Sequence, residues 1–205
     1  MIAAQSETRP AIVPVRPASG HQPLLDSCRS QTGSNVSERD SLQPSGSIEP
    51  VSTTIVPMET ARLESWIASS KSEYLDDLVR SGEPPEQASN SVESTFARYF
   101  PQGKPAHNHL VYDVVTDGRS VGYLWIGPHA TEQISAWWVW DIAIDADQRG
   151  KGFGREAMLL AEDRVREHGG STLGLNVFGF NAAGRALYES LSYETTSVRM
   201  LKKLS

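Results

Sequence analysis

The sequence has very little cysteine and no long apolar run, and each shortage excludes a class of protein. Cys28 is the only cysteine among 205 residues, so neither a disulfide framework nor a cysteine metal cluster is possible. No apolar stretch approaches the ~18–20 residues of a membrane-spanning helix, and the first twenty residues lack the apolar centre of a secretory signal. We therefore predict a cytoplasmic protein with no membrane partner.

Basic charge is also scarce. Lysine and arginine number 19 against 25 aspartate and glutamate residues, which gives a formal net charge of −6. Binding to a phosphate backbone normally needs lysine and arginine clustered on one face, so we expect no nucleic-acid partner. A basic or amine-bearing substrate fits this balance better, although mild acidity also serves solubility alone.

Aromatic residues are missing from the first quarter of the chain. Residues 1–50 contain no Trp, Tyr or Phe and are rich in Ser, Pro, Gln and Gly. Such a segment cannot bury enough apolar surface to offset its chain entropy. We predict a disordered extension over 1–50 and one folded domain over 51–205. The extension either recruits a partner or reflects a mis-assigned start, with the true chain beginning near Val51 or Met58.

Hydrophobic periodicity predicts ten elements in the folded part. Asp117-Gly118 between two alternating runs is a strong signal for a tight hairpin turn. The predicted elements are a strand over 54–56, a helix from Met58 that ends at Ser81-Gly82, a helix from Pro84 that stops before Pro101, strands over 109–116, 120–126 and 136–144, a helix over 152–168, a strand over 173–178, a helix over 181–191 and a last strand over 193–201.

The densest chemical signal is a glycine loop between a predicted strand and helix. Gly150, Gly152 and Gly154 stand at alternate positions, which allows positive φ and removes Cβ atoms, so that backbone N–H groups can converge on an anion. The following helix adds about half a positive charge at its N-terminus. This pattern predicts a diphosphate site. The cationic side chains around it are Arg149, Lys151 and Arg155.

The spacing of these glycines argues against two nucleotide-binding motifs. A dinucleotide fingerprint needs Gly-x-Gly-x-x-Gly after the first strand of a βαβ unit, which the hairpin upstream does not fit. The segment 179–186 has the outline of a Walker A loop, but Arg185 and Ala186 stand where Lys and Ser or Thr are needed. A nucleotide triphosphatase is therefore not favoured.

The loop resembles the signature of the GNAT superfamily of N-acetyltransferases, (Arg or Gln)-x-x-Gly-x-(Gly or Ala), in the form Arg149-x-x-Gly152-x-Gly154. The strand over 173–177 and the residues from Asn181 to Tyr188 resemble the second conserved block of that family. The resemblance implies an α/β (α+β) fold with a mixed, mostly antiparallel central sheet. Its parallel central strands, 136–144 and 172–178, would splay apart at one end, and helices would cover both faces.

The resemblance also implies an activity. A GNAT enzyme transfers an acetyl group from acetyl-CoA to a primary amine of a small molecule or peptide by direct attack, without a metal. Loop N–H groups hold the diphosphate, the pantetheine arm pairs with the central strand, and the Asn181 side-chain amide hydrogen-bonds that arm. The implied cofactor-binding residues are Ile142, Ala143, Ile144, Arg149, Gly150, Lys151, Gly152, Phe153, Gly154, Arg155 and Asn181.

The resemblance implies catalytic roles for two residues. Tyr188 resembles the family tyrosine near the thioester sulfur, which implies a general acid; a buried ring packed on the sheet is the structural alternative. Asp141 stands where many members have an acidic residue, which implies a general base acting directly or through water. It could equally be a structural hydrogen-bond acceptor, since strand side chains alternate and the slot-facing side is not known. Asp145 would point to the same side of the strand as Asp141, but it lies nearer the turn.

Three tryptophans and two histidines each allow a functional and a structural interpretation. Trp137, Trp138 and Trp140 could line an acceptor pocket, although strand aromatics more often pack in a core. His107 and His109 outline a two-ligand metal site, but further ligands at matching spacing are missing. We expect no metal.

Two departures from the family pattern affect the last helix. Ser192 stands before Tyr193 where members usually have Gly, so a left-handed helix cap would cost about 1 kcal/mol. Gly184 replaces a common Ala and should weaken the helix by ~1 kcal/mol. A non-catalytic acyl-CoA sensor with this fold is the alternative function, and the sequence leaves open whether the protein is a monomer or a homodimer.

Overall fold

The structure is a computed structural model that describes residues 52–129, 135–202 and 204. The extension predicted over 1–50 lies outside the described residues. The strands are β1 (Thr54–Pro57), β2 (Leu110–Thr116), β3 (Arg119–Pro128), β4 (Ala136–Ile144) and β5 (Thr172–Leu175), and the α-helices are α1 (Thr60–Arg80), α2 (Pro85–Tyr99), α3 (Phe153–Glu167) and α4 (Ala182–Ser190).

The five strands form one mixed sheet in the order β1-β2-β3-β4-β5. β1 to β4 pair antiparallel, whereas β4 and β5 run parallel. The β2–β3 hairpin turns through Asp117 and Gly118 at φ 49° and 71°, both in the left-handed region that a two-residue turn of this kind requires. The mixed, mostly antiparallel architecture and the tight turn confirm the prediction.

Helices cover both faces of the sheet. On one face, Trp66 of α1 and Phe96 of α2 pack against Trp125, which is fully buried. On the other face, Ala157 and Met158 of α3 are fully buried against the sheet. The apolar stripes of the helices thus meet two separate cores, one on each side of the strands.

The parallel pair β4–β5 separates after a short stretch. Pairing runs from Ala136 opposite Thr172 to Val139 opposite Leu175, and β4 then continues to Ile144 with β3 as its one partner among the described strands. The far half of β4 therefore has an open edge on the β5 side. This confirms the predicted splay.

The predicted last strand over 193–201 is wrong. The described residues after Tyr193 form no strand, and Val198, Met200 and Leu201 are 73%, 89% and 68% exposed. Alternating apolar residues predicted a strand, but a strand also needs a neighbour's backbone. Among the described residues, the backbone N–H groups of 194–202 donate no hydrogen bond to another backbone group. Hence β5 is an edge strand here, not a central one.

Helix α4 ends in the left-handed cap that the sequence predicts. Ser192 has φ 66°, and the Tyr193 N–H donates to the Tyr188 carbonyl at 2.9 Å while the Ser192 N–H donates to Glu189 at 3.0 Å. These two bonds form a Schellman motif, in which glycine is the usual left-handed residue.

Replacing Ser192 by glycine should stabilise the protein, because glycine adopts this conformation without a Cβ penalty. We expect Ser192→Gly to raise the free energy of unfolding by about 1 kcal/mol in urea denaturation. Ser192→Ala retains the strained Cβ and is the control. If Ser192→Ala stabilises as much as Ser192→Gly, backbone strain at this cap is not the cause.

Candidate active site

A cleft of roughly 660 Å³ opens where β4 separates from β5. Its walls are the end of β4, the glycine loop, α4 and the last turns of α1. Except for Asp141 and Lys151, every predicted site residue lines it, and the lining ones are Ile142, Ala143, Ile144, Arg149, Gly150, Gly152, Phe153, Gly154, Arg155, Asn181 and Tyr188. Residues far apart in sequence thus share one cavity, and their individual roles remain predictions.

The glycine loop has the backbone conformation that its glycines permit. Gly150 and Gly152 have φ of 76° and 94°, and a Cβ built on either would meet no atom within 4 Å. Close packing against neighbouring atoms is therefore not the reason that these two positions are glycine. Glycine is required here for positive φ, and it leaves open space in front of the loop.

The loop presents a row of backbone donors. Among the described residues, the backbone N–H groups from Arg149 to Gly154 have no acceptor, and bonding resumes where the Arg155 N–H donates to Gly152 at 2.9 Å. The first N–H groups of a helix lack intrahelical partners, and the aligned peptides of α3 add partial positive charge. Free donors together with this charge make a site for an anion.

Two loop arginines are fixed by the surrounding protein. The Arg149 Nε donates to the Ile144 carbonyl at 2.8 Å, and Arg155 donates to Ser190 Oγ at 2.6 Å. Both side chains line the cleft. Lys151 instead donates to Gln148 Oε1 at 2.9 Å and is exposed outside the lining. The cleft therefore holds two guanidinium groups beside the row of N–H groups.

The position of Tyr188 is compatible with both roles that the sequence left open, a general acid and a buried packing residue. It is 4% exposed and belongs to the core beneath α3, yet it also lines the cleft. Among the described residues its hydroxyl has no hydrogen-bond partner. Burial and, second, the nearby charge of Asp141 raise the pKa of Tyr188 above its ordinary value. The hydroxyl is thus protonated at neutral pH and can donate to a ligand.

Asp141 lies behind the cleft wall. It is 0% exposed, and its Oδ2 accepts hydrogen bonds from Ser70 Oγ at 2.9 Å and the Tyr123 hydroxyl at 3.2 Å. The register of β4 against β3 shifts here, from Val139 opposite Ile126 to Asp141 opposite Trp125, which leaves Trp140 as an extra residue. This bulge places Asp141 on the α1 side of the sheet, a point that alternation alone could not decide.

Asn181 is the N-cap of α4. Its Oδ1 accepts from the Gly184 N–H at 2.9 Å, and the residue is 1% exposed while lining the cleft. A Cβ on Gly184 would lie 2.6 Å from the Asn181 Nδ2. Glycine at 184 therefore makes room for the capping side chain, which explains the departure from the family pattern.

Gly184→Ala should consequently destabilise the protein, although alanine is the better helix former. We expect the free energy of unfolding to fall by about 1–2 kcal/mol, since the clash exceeds the ~1 kcal/mol helix gain. In an Asn181→Ala background the same change should stabilise by ~1 kcal/mol, because the clash is gone. Equal effects in both backgrounds, measured by thermal unfolding, would contradict this explanation.

The strand tryptophans and His109 pack in the interior of the domain. Trp137 and Trp140 are buried in the two cores, Trp138 packs over Gly174 of β5, and none of the three lines the cleft. This confirms the core reading. The His109 Nδ1 accepts from Trp125 Nε1 at 3.1 Å, and burial lowers the pKa of His109 to about 4. Among the described residues, no group of three potential metal ligands is found.

Sequence reasoning missed one wall of the cleft. Glu73, Asp76 and Asp77 of α1 line it. Their spacing, i, i+3 and i+4, places three carboxylates on one helical face and was readable in the sequence. Only the apolar face of this helix entered the prediction.

A mixed sheet with a splayed parallel pair and a glycine loop at the start of a helix is typical of an acyltransferase class, and similarity to known proteins identifies the family. Residues 71–193, more than half of the chain, match the acetyltransferase (GNAT) family. The chain therefore belongs to that family, as the loop signature predicted. No helix among the described residues is long and apolar enough to cross a membrane.

Several relatives are N-acetyltransferases by name. The chain is 29% identical over 152 residues to the uncharacterized N-acetyltransferase YycN of Bacillus subtilis (strain 168), covering 73% of this chain and 97% of that protein. The crystal structure of YycN superposes with a TM-score of 0.69 at 27% identity, over 75% of this chain and 99% of that one. A 61-residue stretch is 38% identical to the [ribosomal protein bS18]-alanine N-acetyltransferase of Escherichia coli (strain K12), covering 30% of this chain and 41% of that enzyme.

Proposed function

We propose that this protein transfers an acetyl group from acetyl-CoA to a primary amine of a small molecule or peptide. The observation that carries the proposal is the row of backbone N–H groups from Arg149 to Gly154, which have no acceptor among the described residues and open on the cleft that also contains Tyr188. Membership of the GNAT family supports it.

The described residues fit acetyl-CoA in two ways. Its diphosphate matches the loop donors, with Arg149 and Arg155 beside them. Its pantetheine arm carries amides that can pair with an open strand edge, and β4 has such an edge beyond Val139, bordered by Ile142 to Ile144. Asn181 lies at the entrance to α4 in the same cleft and is proposed to hydrogen-bond this arm.

In the proposed reaction, bound acetyl-CoA supplies an activated acetyl thioester. An alkyl ammonium of pKa ~10 must first lose a proton. We assign the removal of this proton to Asp141, which acts through water because its carboxylate has no exposed surface. The amine nitrogen then bonds to the acetyl carbon, the carbon–sulfur bond breaks, and the nitrogen releases its second proton to solvent. Tyr188 donates its proton to the sulfur and is reprotonated through solvent.

The test is a turnover assay with acetyl-CoA against pooled alkyl amines, amine-bearing drugs and peptides with free N-termini, including an N-terminal alanine. Release of free thiol that depends on both protein and amine is the expected result. Measurable binding of acetyl-CoA without thiol release across the panel would overturn the transferase proposal and favour a non-catalytic acyl-CoA sensor.

A further inference from the structure

The buried face of α1 includes one serine among large side chains. The buried residues of this helix, spaced by three or four positions so that they share one face, are Leu63, Trp66, Ser70, Tyr74 and Leu78. Ser70 is 1% exposed, and its Oγ donates to Asp141 Oδ2 at 2.9 Å. Burial of a hydroxyl costs free energy unless the group is hydrogen-bonded, and the bond to Asp141 offsets this cost.

Tyr123 of β3 brings a second hydroxyl to the same carboxylate oxygen. This hydroxyl donates to Asp141 Oδ2 at 3.2 Å. The Trp66 ring packs edge-on against the Tyr123 ring, with 5.6 Å between the centroids. Trp66 precedes Ser70 by four residues, so a single face of α1 supplies one donor and supports the other.

The two donors affect both the charge and the position of Asp141. Burial alone favours the protonated acid, whereas hydrogen bonds donated to the carboxylate favour the anion. Bonds to a charged group are also roughly twice as strong as bonds between neutral groups. Because the donors belong to α1 and β3, the position of this carboxylate is determined by two elements other than its own strand.

Asp141 also acts on the cleft, although it does not line it. Burial and, second, the charge of Asp141 raise the pKa of Tyr188, which lines the cleft. A misplacement of about 1 Å at a reacting group can cost ~10²-fold in rate. A base behind the cleft wall therefore depends on the groups that hold it in place.

We infer that Ser70 and Tyr123 are positioning residues, which hold Asp141 as an oriented carboxylate for the removal of the acceptor's proton. The inference rests on the proposed function, since it deepens the role assigned to Asp141 there. Neither Ser70 nor Tyr123 lines the cleft, so both act through Asp141 and not on the substrate. Helix α1 thus contributes to the reaction through β4.

Titration of the Asp141 carboxyl group, followed by carbon-13 NMR, tests this hold without turnover. The test variants are Ser70→Ala and Tyr123→Phe. Ser69→Ala is the matched control, because Ser69 is exposed and its Oγ donates to the Trp66 carbonyl at 3.0 Å. Loss of a donor to the anion raises the pKa of the carboxyl. We expect the titration midpoint to move to higher pH by about one unit in each test variant and to stay unchanged in the control.

Other titratable groups near this network are the same in Ser70→Ala and in the control. On α1, Glu73, Tyr74 and Asp77 lie within two turns of Ser70 on the same helical side. On α4, Tyr188 is close enough to be affected by the charge of the carboxylate. The difference between the two serine variants therefore reports the lost hydroxyl.

Turnover with acetyl-CoA and a saturating amine acceptor separates positioning from packing. We expect kcat to fall about 10-fold in Ser70→Ala, with little change in the KM for acetyl-CoA, and by less than about 2-fold in Ser69→Ala. The decisive comparison uses an Asp141→Asn background. Because Ser70 acts through Asp141, Ser70→Ala should have no further effect on kcat in that background.

Two results would overturn the inference. One is a titration midpoint that is unchanged in both test variants, whether or not any amine is acetylated. The other is an equal loss of kcat on Ser70→Ala in the wild-type and Asp141→Asn backgrounds, since the serine would then not act through Asp141. If the wild-type protein acetylates no amine, the proposed function fails, while a shifted midpoint still supports the hold of these hydroxyls on Asp141.

Discussion

Replacing Tyr188 by phenylalanine is expected to lower kcat by roughly 10²-fold, about 3 kcal/mol of transition-state stabilisation, with little change in acetyl-CoA affinity. The hydroxyl has no protein partner among the described residues, so its removal breaks no hydrogen bond within that part of the chain. The ring that fills the core beneath α3 is retained. The loss should therefore appear in kcat rather than in the folded state.

A second tyrosine provides the matched control for this measurement. The Tyr193 ring packs against Tyr188 at 6.0 Å between centroids, while its hydroxyl donates to Glu162 of α3 at 3.4 Å, outside the cleft. Tyr193→Phe should change kcat by less than about 2-fold. Calorimetry with acetyl-CoA confirms that both variants bind the cofactor. An unchanged kcat for Tyr188→Phe would remove this residue from the mechanism.

The second large effect is expected at the glycine loop. Gly152→Leu should weaken CoA binding by about 10²-fold or more, because a side chain there occupies the space in front of the N–H groups and the loss of two charge-assisted hydrogen bonds corresponds to ~3 kcal/mol. The measurement is isothermal titration with CoA and with acetyl-CoA.

Backbone strain must be separated from the lost anion site. Gly118 in the β2–β3 turn also has positive φ, 71°, and a Cβ there would also meet no atom within 4 Å. Gly118→Leu therefore imposes comparable strain, about 1–2 kcal/mol of unfolding free energy, at a position that does not line the cleft. If Gly152→Leu binds CoA like wild type, or if Gly118→Leu weakens binding equally, the loop does not hold the diphosphate.

Features that depend on local chemistry were predictable from the sequence. The loop conformation follows from its alternate glycines, the hairpin from Asp117-Gly118, and the left-handed cap from the position of Ser192. In each case a few consecutive residues fix the backbone, so no knowledge of distant contacts is needed. The lining of the cleft near the loop followed from the family resemblance.

Features that depend on partners distant in sequence were not predictable in this way. The segment 193–201 alternates like a strand but pairs with no neighbour in the part of the chain that the structure describes. The sequence alone predicts that Gly184 weakens α4, whereas the structure shows that the Asn181 side chain occupies the space beside it. Glu73, Asp76 and Asp77 face the cleft only because α1 packs with its apolar face on the sheet. The spacing of these carboxylates predicts that they share one face of α1. Tertiary packing determines that this face is turned towards the cleft.

The extra residue at Trp140 determines where this strand can change length. Val139 and Asp141 oppose Ile126 and Trp125, which are neighbours on β3, so removal of Trp140 would restore regular pairing and leave Asp141 towards α1 and Ile142 towards α3. A deletion at a regularly paired position of β4 would instead turn the side chains beyond it to the opposite face. Changes in the length of β4 should accordingly be confined to the bulge.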